Sequence, residues 1–295
     1  MANTATLKSP KPQVRSATAD ASLPAPIFAM LSHRGRVRHV NQDACAALPE
    51  HGAFVVCDGI GGAAAGEIAS KLAAEAFLHA LSQSVVQPRH TSPKAASPAT
   101  FAPDTARYPT SHPHTRLNDA VIAANQAVFR HSRKSQSLHG MGTTLVAAYL
   151  DAVANTPTLW LAHVGDSRGY LYRRGTLQLL TEDHSLVEEQ VRAGILSARE
   201  AASSPIRNII TRAIGSQPEV EPDVAARTMQ HGDIVLLTSD GLTRELSDAE
   251  IAGILADITD RTTVSALEAG CKALIDAANA HGGHDNITVL LIYYS

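Results

Sequence analysis

The sequence predicts an α+β fold. Strand-like runs follow one another through short connections, helical periodicity falls in separate blocks, and several apolar runs stop or start at an aspartate. The run Phe54-Val55-Val56-Cys57 meets Asp58-Gly59-Ile60-Gly61-Gly62, where glycines break the strand and allow close approach to the backbone. The run 234–239 likewise ends at Asp240-Gly241, and Asp285-Asn286 opens the run 287–292. Strand-terminal acids at Asp58, Asp240 and Asp285 suggest one shared cation site.

In chain order, residues 1–25 mix Ala, Ser, Thr, Lys and Pro without periodicity and read as a disordered tail. The remainder, 26–295, reads as one domain. Residues 27–32 suit a first strand, followed by the basic turn Arg34-Gly35-Arg36-Val37-Arg38 and by Asn41-Gln42-Asp43. Ile68, Leu72, Ala76 and Leu81 recur at helical spacing, which predicts a helix over 65–82. From 85 to 113 closely spaced prolines exclude helix and central strand, so this stretch reads as a Pro-rich surface insertion. Helical spacing resumes at Leu117, Val121, Ala124 and Val128.

Residues 143–150, 159–164, 168–172 and 177–180 read as a meander, with Arg174-Gly175 as a turn. Ser185 to Glu188 and Ser197 to Glu200 have capping-box form and open two short helices, inside a segment 183–215 expected to act as a flap. The chain closes with a strand at 233–239, a capped helix from Ser247, a helix over 262–280 and a strand at 286–293.

Composition narrows the function classes. The 295 residues carry a net charge of −3 with 18% charged residues, so no global basic field points to nucleic acid or to an anionic membrane. Cys45, Cys57 and Cys271 are odd in number and set in apolar contexts, as expected for thiols in a reducing cytoplasm. No signal-peptide core or bilayer-length apolar run is visible. A soluble cytoplasmic protein is expected.

Aspartates with a glycine carbonyl suit a hard cation such as Mg²⁺ or Mn²⁺ better than zinc. The 14 histidines include no His-Glu-x-x-His element. If Asp58 bridged two ions about 4 Å apart, the ions could share a water and lower its pKa for attack on a phosphoester.

Arg38-x-x-Asn41-Gln42-Asp43, Asp58-Gly59-x-Gly61-Gly62-x-x-x-Gly66-Glu67, Gly140-Met141-Gly142-Thr143-Thr144, Gly165-Asp166-Ser167-Arg168, Ser239-Asp240-Gly241 and Gly283-His284-Asp285-Asn286-Ile287-Thr288 occur in this order. In this the chain resembles the metal-dependent serine/threonine phosphatases of type 2C, their bacterial branch most closely. The resemblance spans roughly 27–295 apart from the Pro-rich insertion. It implies two packed antiparallel β-sheets flanked by α-helices, with a binuclear Mn²⁺ or Mg²⁺ centre at one end. On that resemblance Asp58 would bridge the ions, the Gly59 carbonyl and Asp43 would serve one of them, and Asp240 and Asp285 the other. Arg38 would grip the substrate phosphate, a role its forked, permanently charged guanidinium suits.

The resemblance further implies phosphorylated proteins as partners, a kinase whose work the enzyme opposes, and a monomer that binds neither nucleic acid nor membrane. The Asp166-Ser167 pair, with His163 nearby, reads as structural, because no Gly-x-Ser-x-Gly elbow surrounds the serine. The chain departs from the family pattern at Ile60 and Ala63, where relatives often have Met and His. It departs again at Ser135-Gln136-Ser137-Leu138-His139, where they often carry an acid for a third, weaker ion. These departures keep open an alternative, a pseudophosphatase that binds phosphoproteins without turnover. A metal-dependent nuclease would need a basic track that is not evident.

Overall fold

The computed structural model describes residues 26–61, 63–86, 112–151, 157–202, 204–258 and 261–295. The expected tail, Gly62 and positions 87–111 of the expected insertion lie outside these residues. The expected insertion is trimmed at both ends. Val85 and Val86 complete helix α1 (Ala63–Val86), and Pro113 opens α2 (Pro113–Ser132) in the first-turn position that tolerates a missing N–H.

Two antiparallel sheets pack face to face. One contains β1 (Ile27–His33), β7 (Arg168–Arg173), β8 (Thr176–Leu179), β10 (Ile234–Thr238) and β11 (Ile287–Tyr293), in the order β1-β11-β10-β7-β8. The other contains β2 (Asp43–Leu48), β3 (Ala53–Ile60), β5 (Leu145–Asp151), β6 (Thr158–Val164) and β9 (Asp223–Thr228), in the order β2-β3-β5-β6-β9. The short β4 (Gly142–Thr143) pairs with the end of β3.

Continuous apolar runs form these central strands because both faces of each sheet are covered. Along β3, Phe54 and Val56 face the opposite sheet while Val55 and Cys57 face α1 and α2. Along β10, Val235 and Leu237 point between the sheets, whereas Ile234 and Leu236 meet α6 (Asp248–Ala256) and α7 (Val264–Ala280). The result is four layers, helices outside and sheets inside.

The meander turn follows its sequence signal: Arg174 at φ 50° and Gly175 at φ 86° supply the two left-handed positions of a tight hairpin. Strands β2 and β9 were not foreseen from sequence. Their small and charged residues lack a clean alternation, and most are only partly buried.

Within 183–215 lie α3 (Leu186–Arg192) and α4 (Ala198–Ala202). The ends of this segment are tied to the core through backbone, by His184 N–H to the Gly165 carbonyl at 3.0 Å and reciprocal Thr143–Ile214 bonds at 3.0 and 2.8 Å. The segment is closed on itself by Leu186 N–H to the Ile209 carbonyl at 2.9 Å and Thr211 N–H to the His184 carbonyl at 2.8 Å. A capping box completes the start of α6, where Ser247 and Glu250 satisfy each other's backbone N–H groups.

Leu237→Ala should lower unfolding free energy by about 2–5 kcal/mol, because the side chain is buried between the sheets and leaves a cavity. A denaturant titration should show a lower midpoint with an unchanged slope.

Candidate metal centre

The sheets converge at one end, and acids meet there. Asp43, the first residue of β2, lies directly across from Asp58 near the end of β3. Asp240 starts the short helix α5 (Asp240–Thr243) as β10 ends, and Asp285 stands just before β11. The structure therefore gathers Asp43, Asp58, Asp240 and Asp285 from both sheets, as the sequence order suggested.

Side-chain bonds fix the join. Ser239 and Thr288, from the first sheet, both donate to Asp43 Oδ2 at 2.7 Å, so the second sheet's acid is held by the first sheet's hydroxyls. Asn286 accepts from Gln42 N–H at 2.8 Å and donates to the Arg34 and Val40 carbonyls at 3.0 and 2.9 Å. Asp285 Oδ1 accepts from Asn286 N–H at 2.8 Å.

Glycines make the approach close enough. A Cβ on Gly59 would lie 2.2 Å from the Gly66 carbonyl oxygen and 2.6 Å from that of Gln42. One on Gly241 would lie 2.0 Å from the Asn286 carbonyl oxygen. Gly59 and Gly241 are thus required sterically beside Asp58 and Asp240.

Burying these acids together is electrostatically adverse. Burial holds Asp58 well above the usual carboxylate range, with Asp43, Asp240, Asp166 and Asp285 adding repulsion. Asp240 is pushed to about 8 by burial and by Asp166, against the pull of Arg244. Asp43 is raised to about 6 by burial, despite its bonds from Thr288 and Ser239. Asp43 Oδ1, Asp166 Oδ1 and Asp240 Oδ1 are buried with no hydrogen-bond partner. Such oxygens are costly unless a cation meets them, and an all-oxygen donor set suits Mg²⁺ or Mn²⁺.

Asp166 and Arg244 were not assigned to this centre from sequence. Ser167 does hold the turn, its hydroxyl 2.6 Å from that of Thr144, but the Asp166 carboxylate belongs with the acids. The signal was present, since Asp166 follows β6 and a glycine just as the other strand-end acids border theirs. Arg244, one helical turn after Asp240, pairs with that carboxylate and lies 3.6 Å from Asp166.

Arg38 reaches Asp285 Oδ2 at 2.7 Å from the open side, and its side chain remains half exposed. Its loop is hooked on by Arg36 N–H to the Gly283 carbonyl at 2.7 Å. Two cavities border the centre. One of about 490 Å³ is lined by Asp166, Asp240, Arg244 and, from the 183–215 segment, Arg207 and Asn208. The other, about 470 Å³, is lined by Arg38, Asp285, Arg244, Arg207 and Asn208.

Ile60 pairs with Gly142, and Ala63 begins α1. The Ser137 hydroxyl lies 2.9 Å from that of Ser135.

Another grouping with ligating atoms, His163, His184 and Asp223, has those atoms within 4.8 Å of one another. The hydrogen bond at His184 Nδ1 argues for a neutral ring held beside Asp223 and against a metal, although Nε2 itself makes no hydrogen bond. His184 Nδ1 accepts from Gly165 N–H at 3.2 Å, so the neutral ring carries its proton on Nε2, which faces Asp223 Oδ2 at 3.3 Å. Arg212 binds the other Asp223 oxygen at 2.9 Å. Burial, reinforced by His163 and Arg212 against the pull of Asp223, holds the His184 pKa down to about 4.

Comparison with known proteins agrees with this architecture. The family described as Protein phosphatase 2C matches residues 32–276. The serine/threonine phosphatase stp of Listeria monocytogenes (serovar 1/2a) is 36% identical over 262 residues, covering 88% of this chain and 92% of that protein. The catalytic domain of the serine/threonine phosphatase PstP, solved in complex with two manganese ions, superposes with a TM-score of 0.70 at 33% identity, covering 90% of this chain and 96% of that one. Stp1 from Staphylococcus aureus superposes at 0.74 with 26% identity, covering 96% and 100%.

His184→Asn keeps an acceptor for Gly165 and removes the titration. Because the folded pKa of His184 lies below the unfolded value of about 6.5, the unfolded chain binds the extra proton between about pH 6.5 and 4, and wild-type stability falls as pH drops through that window. Thermal unfolding across the window should show a shallower acid decline in the variant. Parallel profiles would exclude His184 as a neutral clamp.

Proposed function

The chain belongs to the protein phosphatase 2C family and is a metal-dependent serine/threonine phosphatase, and on that premise we propose which residues carry the reaction. Asp43, Asp58, the Gly59 carbonyl, Asp240 and Asp285 hold two Mn²⁺ or Mg²⁺ ions, and Arg38 binds the phosphoryl group. The observation that carries this reading is the convergence of buried carboxylates with unpartnered oxygens where the two sheets end.

When bound, such ions supply an acidified water and polarise a phosphoryl oxygen. The protein's own contribution is placement. Ser239 and Thr288 hold Asp43 on one oxygen and leave the other directed into the cluster. Asn286 ties the Asp285 strand start to the backbone of the loop bearing Arg38, which brings the phosphate-binding guanidinium against Asp285. Arg38 offers a planar fork to phosphoryl oxygens from the solvent side and stays charged at every working pH.

The substrates are phosphoserine- and phosphothreonine-containing proteins, and the enzyme opposes the kinase that makes them. The 183–215 segment, which borders both cavities through Arg207 and Asn208, influences which phosphoprotein enters. Among the described residues no helix is long and apolar enough to cross a membrane, and Cys45, Cys57 and Cys271 are free thiols. We place the enzyme in the cytoplasm, acting as a monomer whose proposed ligand set is complete within one chain. The binding-only alternative gains no support, since Asp43, Asp58, Asp240 and Asp285 are all present and the acid absent from 135–139 would serve only a third, weaker ion.

Hydrolysis of a phosphothreonine peptide and of a small aryl phosphate should appear with Mn²⁺ and vanish with excess EDTA. Inactivity of folded, Mn²⁺-loaded protein would overturn the catalytic reading. Asp240→Asn should cut kcat by on the order of 10²-fold or more while the fold survives. Arg38→Ala should lower kcat/KM by roughly 10- to 100-fold, the loss of one charge-assisted hydrogen-bonding group, and unchanged kinetics would remove Arg38 from the phosphate site.

A further inference from the structure

Arg244 answers a charge problem that the fold creates. It caps the C-terminus of α5 and, four residues after Asp240, lies one helical turn from it. One terminal nitrogen pairs with Asp240 Oδ2 and lies 3.6 Å from Asp166 Oδ2, while the other lies 3.8 Å from Asp285 Oδ2. Carboxylates that arrive from β6, β10 and β11 thus converge on a single guanidinium. Arg38 binds the same Asp285 oxygen at 2.7 Å.

The guanidinium and a divalent ion would compete for the same groups. Asp240 turns one oxygen to Arg244 and leaves the other unpartnered, so half of that carboxylate is already committed to a cation. Two positive charges a few ångströms apart repel strongly in a partly buried site, and a divalent ion doubles the effect. Arg244 has somewhere to go: its side chain is 32% exposed and lines both cavities beside Arg207 and Asn208. A flexible arginine can leave the acids for this cleft without unwinding α5.

We propose that Arg244 is a built-in competitor of the divalent ions, holding Asp240, Asp166 and Asp285 in the metal-free protein and withdrawing into the cleft when the ions bind. This rests on the reading of Asp240 and Asp285 as metal ligands. It makes Arg244 a residue that sets how tightly metal is held, and it lets the fold keep its buried acids together before loading.

The test is calorimetric titration of Mn²⁺ into the EDTA-stripped, dialysed full chain, with thermal unfolding of the same stripped samples. Arg244→Gln should bind Mn²⁺ on the order of tenfold tighter, since a repelling charge is gone. The same variant, stripped of metal, should melt several degrees below wild type. Arg244→Lys keeps the charge without the fork, and should fall between the two on both measures, which preserves the test if the glutamine variant folds poorly. Variants that bind Mn²⁺ no tighter than wild type would overturn the proposal and leave the phosphatase reading standing. Failure of the wild type itself to bind Mn²⁺ would overturn both.

Discussion

Carboxylates cannot share a buried corner without counter-charge, and this molecule is arranged around that constraint. Asp43, Asp166 and Asp240 are each less than 10% exposed, and Asp58 is pressed on by all its acidic neighbours. In an apolar surround such a group would protonate or pull the structure apart. Here hydroxyls, two guanidinia and, on the reading proposed, divalent ions divide the task. The apolar sandwich makes the corner rigid enough to hold groups that repel one another.

Sheet geometry turns the constraint into a usable centre. Asp43 and Asp58 are cross-strand neighbours in one sheet, while Asp240 and Asp285 border adjacent strands β10 and β11 of the other. Packing the sheets face to face brings the two pairs together, and the Ser239 and Thr288 bonds to Asp43 lock the relative position of the sheets at that end. The acids and the loop bearing Arg38 are therefore parts of one braced unit.

Much of this was legible in the sequence, for identifiable reasons. Asp58, Asp240 and Asp285 stand out because an apolar run that stops at an acid beside a small or amide residue is an unusual local pattern. Asp43 and Arg38 have no such signature of their own, and only the ordered motifs select them. Strands β2 and β9 escaped because edge strands bury one face partially and tolerate polar residues. Asp166 had the right pattern, but within Gly165-Asp166-Ser167-Arg168 it reads as a structural turn residue. Arg244 could not be found from spacing alone. Its meaning depends on which acids tertiary packing brings within its reach.

The attachment of the 183–215 segment has an evolutionary consequence. Its ends are joined to the core by main-chain bonds at His184–Gly165 and Ile214–Thr143 and to each other at Leu186–Ile209 and Thr211–His184, bonds that any residue other than proline can make. Outside His184 and Arg212, which meet Asp223, exposed side chains between those anchors can change without loosening the sandwich beneath. On the role in substrate entry proposed for this stretch, selection for a new phosphoprotein can work there while the acidic corner stays intact, much as a tool holder accepts a different bit.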